Sequence, residues 1–380
     1  MLPDFGPTVP LTPPIYPSAV YHIPDLDAVD AIYNGEATGY VYARDGHPNA
    51  SMLGDELRQA HAAEWGVVAA TGMAALSAPF LALLSQGGRV IASNRIYGKT
   101  TVLLRDEFPR FGVSTTWVDT NDLDAVEAAL AAGPAQILFT ETISNPLCRV
   151  ADVPALAEIA YRHGARLFLD NTFATPTLCK PLEMGANLVM ESLTKMIGGH
   201  SDVILGFVCG REPKLEPTVA TAVSTWGLAA NPFECWLTSR GLATLDLRMR
   251  AATANAVVLA EWLGEQPGVS RVIYPGRADH PDFELAKRVL PHGVGNMLCF
   301  ELADRNAVNR WMRATPAVPF CPSLGHHTTT CSHPDTTSHR FDPVEEKRRQ
   351  GITPGLVRLS VGCEPIEQLQ AAIGHGLTGG

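Results

Sequence analysis

A lysine whose amine is stripped of water becomes a nucleophile able to form a Schiff base, and this chain offers six lysines against 23 arginines. That scarcity allows a choice by elimination. Lys214 sits in the Pro-flanked turn REPKLEP, Lys287 on a polar helical face, and Lys347 in the charge run EEKRRQ, where solvation is expected. Lys180 precedes Pro181 in a connection. Lys99 follows Tyr97-Gly98, and its context alone does not dismiss it. Lys195 directly follows the strand-like NLVME and Ser192-Leu193-Thr194, then meets Gly198-Gly199-His200-Ser201-Asp202. Hydroxyls on one side and glycines on the other suit a desolvated amine beside a phosphate, so Lys195 is the best candidate.

Other polar residues sit where apolar runs end. Asp170 closes ARLFLD, and a carboxylate leaving a buried strand needs a partner, although DNT also reads as a cap or turn. In AATGM (69–73) the chain passes into an Ala-rich helix, which puts the Gly72 and Met73 amides at a helix N-terminus where anions bind. The segment CPSLGHHTTTCSHPDTTSH gathers His326, His327, His333 and His339 with Cys321 and Cys331. Read alone it invites a zinc site, yet its spacings match none of the common structural pairs, and no metal is expected.

The elements that must position these groups follow from alternation. From about 65 to 210 the apolar runs GVVAA (66–70), RVIAS (89–93), STTWV (114–118), AQILFT (135–140), ARLFLD (165–170), NLVME (187–191) and VILGFVC (203–209) alternate with helical stretches such as 122–132 and 153–164. Gly164 is placed to end the second of these helices. This pattern predicts an α/β unit with a mostly parallel central sheet and a site at the carboxyl ends of its strands. A helix over 51–64, capped by Ser51, precedes it. After a long helical region (231–264), GVSRVIYP, NMLCFEL and LVRLSVG read as strands of a smaller C-terminal α+β domain. The chain therefore divides into an arm (1–50), a large domain (51–235) and a C-terminal domain (236–380). The arm has little helical periodicity, and its aromatics Tyr16, Tyr21, Tyr33, Tyr40 and Tyr42 favour docking on another surface.

Composition bounds the class. Over 380 residues the chain is 46% hydrophobic and 18% charged, a globular balance. A net charge of -10 argues against a nucleic-acid partner, because no broad face would neutralise phosphates. No apolar run approaches the roughly 20 residues of a membrane span. The Pro-rich N-terminus lacks the regions of a signal peptide, and the eight cysteines are scattered without C-x-x-C. A soluble cytoplasmic protein with free thiols is expected, with no membrane partner.

ESLTKMIGGHSD resembles the cofactor-attachment motif of the Cys/Met-metabolism pyridoxal-phosphate (PLP) enzymes, the group of cystathionine synthases and lyases and methionine γ-lyase. The resemblance continues in family order through YARDGHPN (42–49), ATGMAAL (70–76), IYGKT (96–100), ETISNP (141–146), DNTFATP (170–176), NPFECWLTSRGLATLDLRM (231–249), PSLG (322–325), SHP (332–334) and VRLSVGCE (357–364). It implies PLP fold type I, the aspartate-aminotransferase-like fold, with pyridoxal 5'-phosphate as cofactor. It also implies roles. Lys195 would carry the cofactor as a Schiff base and move protons. Asp170 would pair with the pyridine nitrogen. Tyr97 would stack on the ring and act as acid or base. Gly72, Met73, Ser192 and Thr194 would hold the phosphate, and Asn145 would lie near the ring oxygen and the substrate. Arg358 would bind the substrate α-carboxylate, and Ser323 would orient the Lys195 side. Tyr42 and Arg44 match residues that cross to the phosphate of a neighbouring subunit, in a homotetramer built from two dimers with shared sites.

Three departures bear on the substrate. Lys99 stands where methionine γ-lyases typically have Cys, and Pro322 stands where cystathionine γ-enzymes usually have Glu. Leu193 and Met196 are hydrophobic swaps beside the lysine. His326 and His327 replace residues lining the substrate entrance and are expected to shape specificity. The resemblance implies trans-sulfuration chemistry at the γ-carbon of a sulfur-containing or O-activated homoserine-type amino acid. A β-lyase acting on cystathionine or cysteine conjugates stays open as the alternative, and a methionine γ-lyase after it.

Overall fold

The computed structural model describes residues 7–378. Seven short apolar runs become the strands β1 (Trp65–Ala69), β2 (Arg89–Ser93), β3 (Ser114–Val118), β4 (Ile137–Glu141), β5 (Arg166–Asp170), β6 (Leu188–Ser192) and β7 (Gly206–Gly210). They form one sheet in the order β1-β7-β6-β5-β4-β2-β3. Among these strands β7 alone runs against the rest, pairing antiparallel with both β1 and β6. The mostly parallel sheet expected from the alternation is therefore present.

These strands read as unbroken apolar runs because both faces of the sheet are covered. Within β4, Ile137 and Phe139 enter one core while Leu138 enters the other. In β5 the split is Phe168 against Leu167 and Leu169. On one face the helix Gly72–Leu83 brings Phe80 edge-on to Phe139 and Phe168, with ring centroids 5.6 and 5.5 Å apart. On the other face the helices Leu123–Ala131 and Val153–Arg162 supply Val126, Leu130, Leu156 and Ile159. Gly164 follows the second of these with a φ of 70°, the left-handed turn that ends the helix before β5.

A second sheet, in the order β10-β11-β9-β8, comprises β8 (Arg271–Ile273), β9 (Met297–Glu301), β10 (Thr330–Ser332) and β11 (Leu356–Ser360), all antiparallel. It has its own core of Leu298, Phe300, Trp311, Val357 and Leu359, closed by Leu259 and Leu263 of the helix Leu245–Gly264.

Several local expectations shift. The helix expected over 51–64 spans Pro48–Ala60, and His47 caps it rather than Ser51, its Nδ1 accepting from the Ala50 amide at 3.2 Å. Pro48 fills the first helical position, where its missing N–H costs nothing. The helical region 231–264 is two helices, Pro232–Leu242 and Leu245–Gly264. β10 lies within the His-rich segment, which had no strand assigned. The arm holds a short exposed helix, Leu26–Tyr33. Its Pro13–Tyr16 stretch lies on the chain's own surface: Trp236 Nε1 donates to the Pro13 carbonyl at 2.9 Å, and Asn49 Nδ2 to that of Pro14 at 2.9 Å.

The loop after β4 is fastened to the region of the second sheet by one carboxylate. Buried Asp282 accepts from Arg149 Nε at 2.6 Å, Arg149 Nη2 at 2.9 Å and the Val150 amide at 2.9 Å. Removing the acid strands a guanidinium that is only one-fifth exposed. Asp282→Ala is expected to lower unfolding stability by about 3 kcal/mol, the lower end for breaking a buried pair. Denaturant titration measures it; a loss within experimental error would show the loop is held by packing alone.

Candidate active site

The carboxyl ends of β4, β5 and β6 and the turn after β1 open into one cavity of about 650 Å³, closed by segments that flank β10 and β11. Gly72, Met73, Tyr97, Asn145, Asp170, Ser192, Thr194, Lys195, Ser323 and Arg358 all line it. Residues up to 286 positions apart in sequence thus meet in one place.

The end of the cavity beside β1 is built from amides and hydroxyls. Thr71 caps the helix Gly72–Leu83, its Oγ1 accepting from the Ala74 amide at 2.9 Å. Gly72 and Met73 occupy the first two helical positions, so their amides have no acceptor within the helix. A Cβ on Gly72 would come within 2.7 Å of Ser192 Oγ, so only glycine lets this helix start lie against the end of β6. Thr194 adds a second hydroxyl, which donates to the Leu205 carbonyl at 3.3 Å. Two free amides at a helix start and two hydroxyls form an anion cradle.

Two carboxylates stand side by side where β4 and β5 end, since Glu141 and Asp170 are register partners. Asp170 Oδ1 accepts from the Thr172 amide at 2.9 Å and the Thr172 hydroxyl at 2.5 Å, while Oδ2 has no donor among the described residues. Glu141 accepts at both oxygens, from the Tyr97 amide at 2.6 Å and the Asn145 amide at 3.1 Å. Burial raises both pKa values, that of Glu141 well above the ordinary carboxylate range with Asp170 adding to the rise. Such a pair calls for a cation or a proton donor at the open Asp170 oxygen.

Lys195 leaves β6 through a tight turn and donates from Nζ to Ser323 Oγ at 2.9 Å. Burial, then the Arg358 charge, push its pKa below that of an ordinary lysine, which favours the neutral amine. Gly325, with a φ of 82°, explains how Ser323 gets there. A Cβ at Gly325 would sit 2.5 Å from the Met196 amide nitrogen, so the 322–325 loop packs directly on the lysine's backbone. Arg358, in β11, is 4% exposed. Its Nη1 donates to Asn145 Oδ1 at 2.6 Å and its Nη2 to the Ser323 carbonyl at 3.0 Å, while Nε is buried without a partner among the described residues. That guanidinium edge is positioned to receive a carboxylate.

These residues fit pyridoxal 5'-phosphate. Gly72, Met73, Ser192 and Thr194 would take its phosphate, the open Asp170 oxygen its ring nitrogen, and Lys195 its carbonyl carbon. The Tyr97 ring, 39% exposed at the cavity, would lie against its ring. Burial, and then Glu141, raise the Tyr97 hydroxyl pKa, which keeps it protonated.

Some expected residues lie elsewhere. Tyr42 and Arg44 stand exposed outside this cavity, the Arg44 guanidinium 4.9 Å from the Tyr42 ring centre. His326 and His327 do not line the cavity either. Their rings meet at a tilt with centroids 4.2 Å apart, and His327 meets His200 at 5.4 Å, with His326 Nδ1 3.1 Å from Ser201 Oγ. Their expected role at the substrate entrance therefore finds no support in the cavity's lining. Two contributors stand outside the residues expected from the sequence. Glu141, in ETISNP, carries the same signal as Asp170, an acid closing a buried strand. Thr172 bridges Asp170 to the Ser192 amide, which its hydroxyl accepts at 2.9 Å, and a threonine two residues past a strand carries no such signal.

The sequence model of the Cys/Met metabolism PLP-dependent enzymes matches residues 6–378. An O-succinylhomoserine sulfhydrylase of Pseudomonas aeruginosa is 40% identical over 91% of this chain and 86% of its own length. The cystathionine beta-lyase MetC of Bacillus subtilis is 35% identical over 96% of this chain and 91% of its own. A crystal structure of cystathionine gamma synthase from Xanthomonas oryzae pv. oryzae, in complex with cystathionine, superposes with a TM-score of 0.92 at 34% identity, covering 97% of this chain and 93% of that one.

Glu141 anchors Tyr97 and Asn145 through their backbones, so its loss should disturb both. Glu141→Ala is expected to lower kcat/KM by roughly 10- to 100-fold, given two hydrogen bonds of about 0.5–1.5 kcal/mol each. Steady-state kinetics on protein of native circular dichroism measures this; wild-type kcat/KM would deny Glu141 a positioning role.

Proposed function

The chain belongs to the Cys/Met metabolism PLP-dependent enzymes, and on that premise we propose that it eliminates or replaces a substituent at the γ-carbon of a sulfur-containing or O-activated homoserine-type amino acid. Its cofactor is pyridoxal 5'-phosphate, which when bound supplies an electron sink for negative charge developing at the substrate Cα. The observation that carries the reading is Lys195 itself: a partly desolvated amine held by one exchangeable hydrogen bond to Ser323.

The chain's residues divide the work as follows. Arg358 holds the α-carboxylate with its unpartnered Nε edge, and Asn145 fixes that guanidinium from the other side. Asp170 stabilises a proton on the ring nitrogen. Glu141 sets the position of Tyr97, whose raised hydroxyl pKa suits it to carry a proton near the substrate amine. Lys195 takes the Cα proton. For γ chemistry it must next reach the Cβ proton, and a flexible primary amine tied only to a serine hydroxyl has that freedom. The β alternative requires only the first proton removal, so the same residues serve it. The relatives span both outcomes, a sulfhydrylase and a β-lyase among them. Lys99, a cation where an uncharged methionine side chain would pass, weighs against a methionine γ-lyase.

We also read the molecule as a homotetramer of two dimers with shared sites, an arm (1–50) reaching the neighbour, a large domain (51–235) and a C-terminal domain (236–380). Among the described residues, Lys99, Lys195 and Arg358 are the cations lining the cavity, and none belongs to the amide-and-hydroxyl cradle. A dianionic phosphate there lacks a cation from its own chain, while Arg44 stands exposed and outside. Arg44 and Tyr42 of a second copy would complete the cradle. No helix among the described residues is long and apolar enough to cross a membrane, and we place the enzyme in the cytoplasm.

Two experiments test these readings. Holoenzyme is offered cystathionine, methionine, cysteine, and O-acetyl- or O-succinyl-homoserine with a thiol. The expected products are 2-oxobutyrate from cystathionine or a thioether from the activated homoserines. Pyruvate from cystathionine would establish the β alternative instead. For the shared site, Arg44→Ala and Lys195→Ala are each expected to be inactive, and co-refolding the two should restore part of the activity. A mixture as inactive as its parents would mean that each chain builds its own site.

A further inference from the structure

His326 and His327, absent from the cavity lining, meet the turn that carries Lys195 from outside the cavity. The segment holding Ser323 lies along that turn, and the two touch at both ends. At the inner end Lys195 Nζ donates to Ser323 Oγ at 2.9 Å, and Gly325 packs on the backbone of Lys195 and Met196. At the outer end the His327 amide donates to the Gly199 carbonyl at 2.9 Å. Three imidazoles close this end. Ring centroids of His326 and His327 are 4.2 Å apart, those of His327 and His200 5.4 Å, and His326 Nδ1 lies 3.1 Å from Ser201 Oγ. Two rings come from one segment and one from the other, so the cluster exists only while the segments lie together.

Such a cluster holds best while its rings are neutral. His200 Nδ1 donates to the Gly198 carbonyl at 2.7 Å, which leaves its other nitrogen to take up a proton. The surroundings do little to balance added positive charge. Arg248 is a fixed cation under the lysine turn, donating to the Met196 and Ile197 carbonyls at 2.6 and 3.0 Å. Glu364 is already engaged, accepting from the Thr329 amide and, at 3.0 Å, from the Thr329 hydroxyl. Asp202, exposed beside Ser201, is the other acid acting on His326. Burial, then His327 and His200, lower the His326 pKa, with Glu364 and Asp202 opposing.

We infer that His200, His326 and His327 form an acid-sensitive clasp that seats Ser323 on the Lys195 turn, closed while the rings are neutral and loosened once two are charged. The inference rests on Lys195 as the reacting amine and holds for γ and β chemistry alike. Protons bind the loosened state more readily, because separated rings no longer repel. The clasp is therefore complete above about pH 6.5, the ordinary histidine value, and weakens as the pH falls below it. The three histidines act through Ser323 and its loop, so they are positioning residues.

The test compares wild-type holoenzyme with a His326→Asn/His327→Asn double variant, which keeps only one titrating ring of the three. Backbone hydrogen exchange, corrected for the intrinsic effect of pH, is followed in peptides spanning 196–201 and 322–328. Between about pH 8 and about pH 5.5, wild-type protection is expected to fall by about three- to tenfold, the effect of like charges roughly 4–5 Å apart facing water. Protection in the double variant should stay level. The two proteins should have equal kcat/KM near the upper pH, and wild type should lose about the same factor more than the variant on acidification. Protection that falls alike in both proteins, or acid limbs of kcat/KM that superpose, would overturn the proposal. Turnover of none of the offered substrates would defeat the γ-carbon reading instead. Exchange and the visible circular dichroism of the bound cofactor then decide the clasp: acid-induced changes confined to wild type uphold it, and changes shared with the variant or absent from both overturn it.

Discussion

Two carboxylates at adjoining strand ends, Glu141 buried and Asp170 half-buried, are the constraint around which this site is organised. Glu141 and Asp170 face the same cavity because β4 and β5 are parallel and in register. Placing two acids together out of water is costly unless amides, hydroxyls or a cation answer them. The chain answers with the Tyr97 and Asn145 amides on one and Thr172 on the other, leaving one Asp170 oxygen open. That open oxygen is where the protonated ring nitrogen of pyridoxal 5'-phosphate would relieve the charge. Binding the cofactor would then also stabilise the sheet's carboxyl edge.

From this edge the arrangement spreads through backbone contacts more than through side chains. Glu141 grips residues on two loops by their amides, and Asn145 on one of those loops grips Arg358 in the second sheet. Arg358 in turn holds the Ser323 carbonyl, whose residue's hydroxyl receives the Lys195 amine. The chain of contacts closes on itself, because Gly325 packs against the backbone of Lys195 and Met196. A closed ring of this kind fixes the Ser323 hydroxyl on which the Lys195 amine rests. The side chains of Leu193 and Met196 are fully buried in the apolar core, so only the backbone of Met196 enters the ring.

Charge is distributed by depth. Arg358 is buried and its partners are fixed, whereas Lys99 is exposed and has no partner among the described residues. The relatives share the scaffold at 35–40% identity and differ in reaction, as expected where one fold carries several related activities.

Strand identity and the lysine were legible in the sequence because both depend on local composition. RVIAS became β2 residue for residue, since a strand covered on both faces reads as a short apolar run, and STTWV became the partly exposed edge strand β3. Lys195 stood out because the chain has few lysines and the others sit in polar surroundings. The Gly72 and Met73 amides were legible for a related reason, as a helix start leaves donors open wherever it occurs. Other features depended on partners far away in sequence. Nothing near Glu141 announces that its two oxygens will hold the amides of residues 97 and 145. Nothing near His326 and His327 announces that they will pack on each other, with His327 against His200, and leave the cavity to others. Sequence by itself determined which segments are strands, which lysine stands between hydroxyls and glycines at a strand exit, and where a helix start leaves amides open. Only the tertiary structure decided which acids stand together, which donor of Arg358 is left open and which cation stays unpaired. Those outcomes are set by burial and by pairing across the fold, and neither is a property of a segment alone.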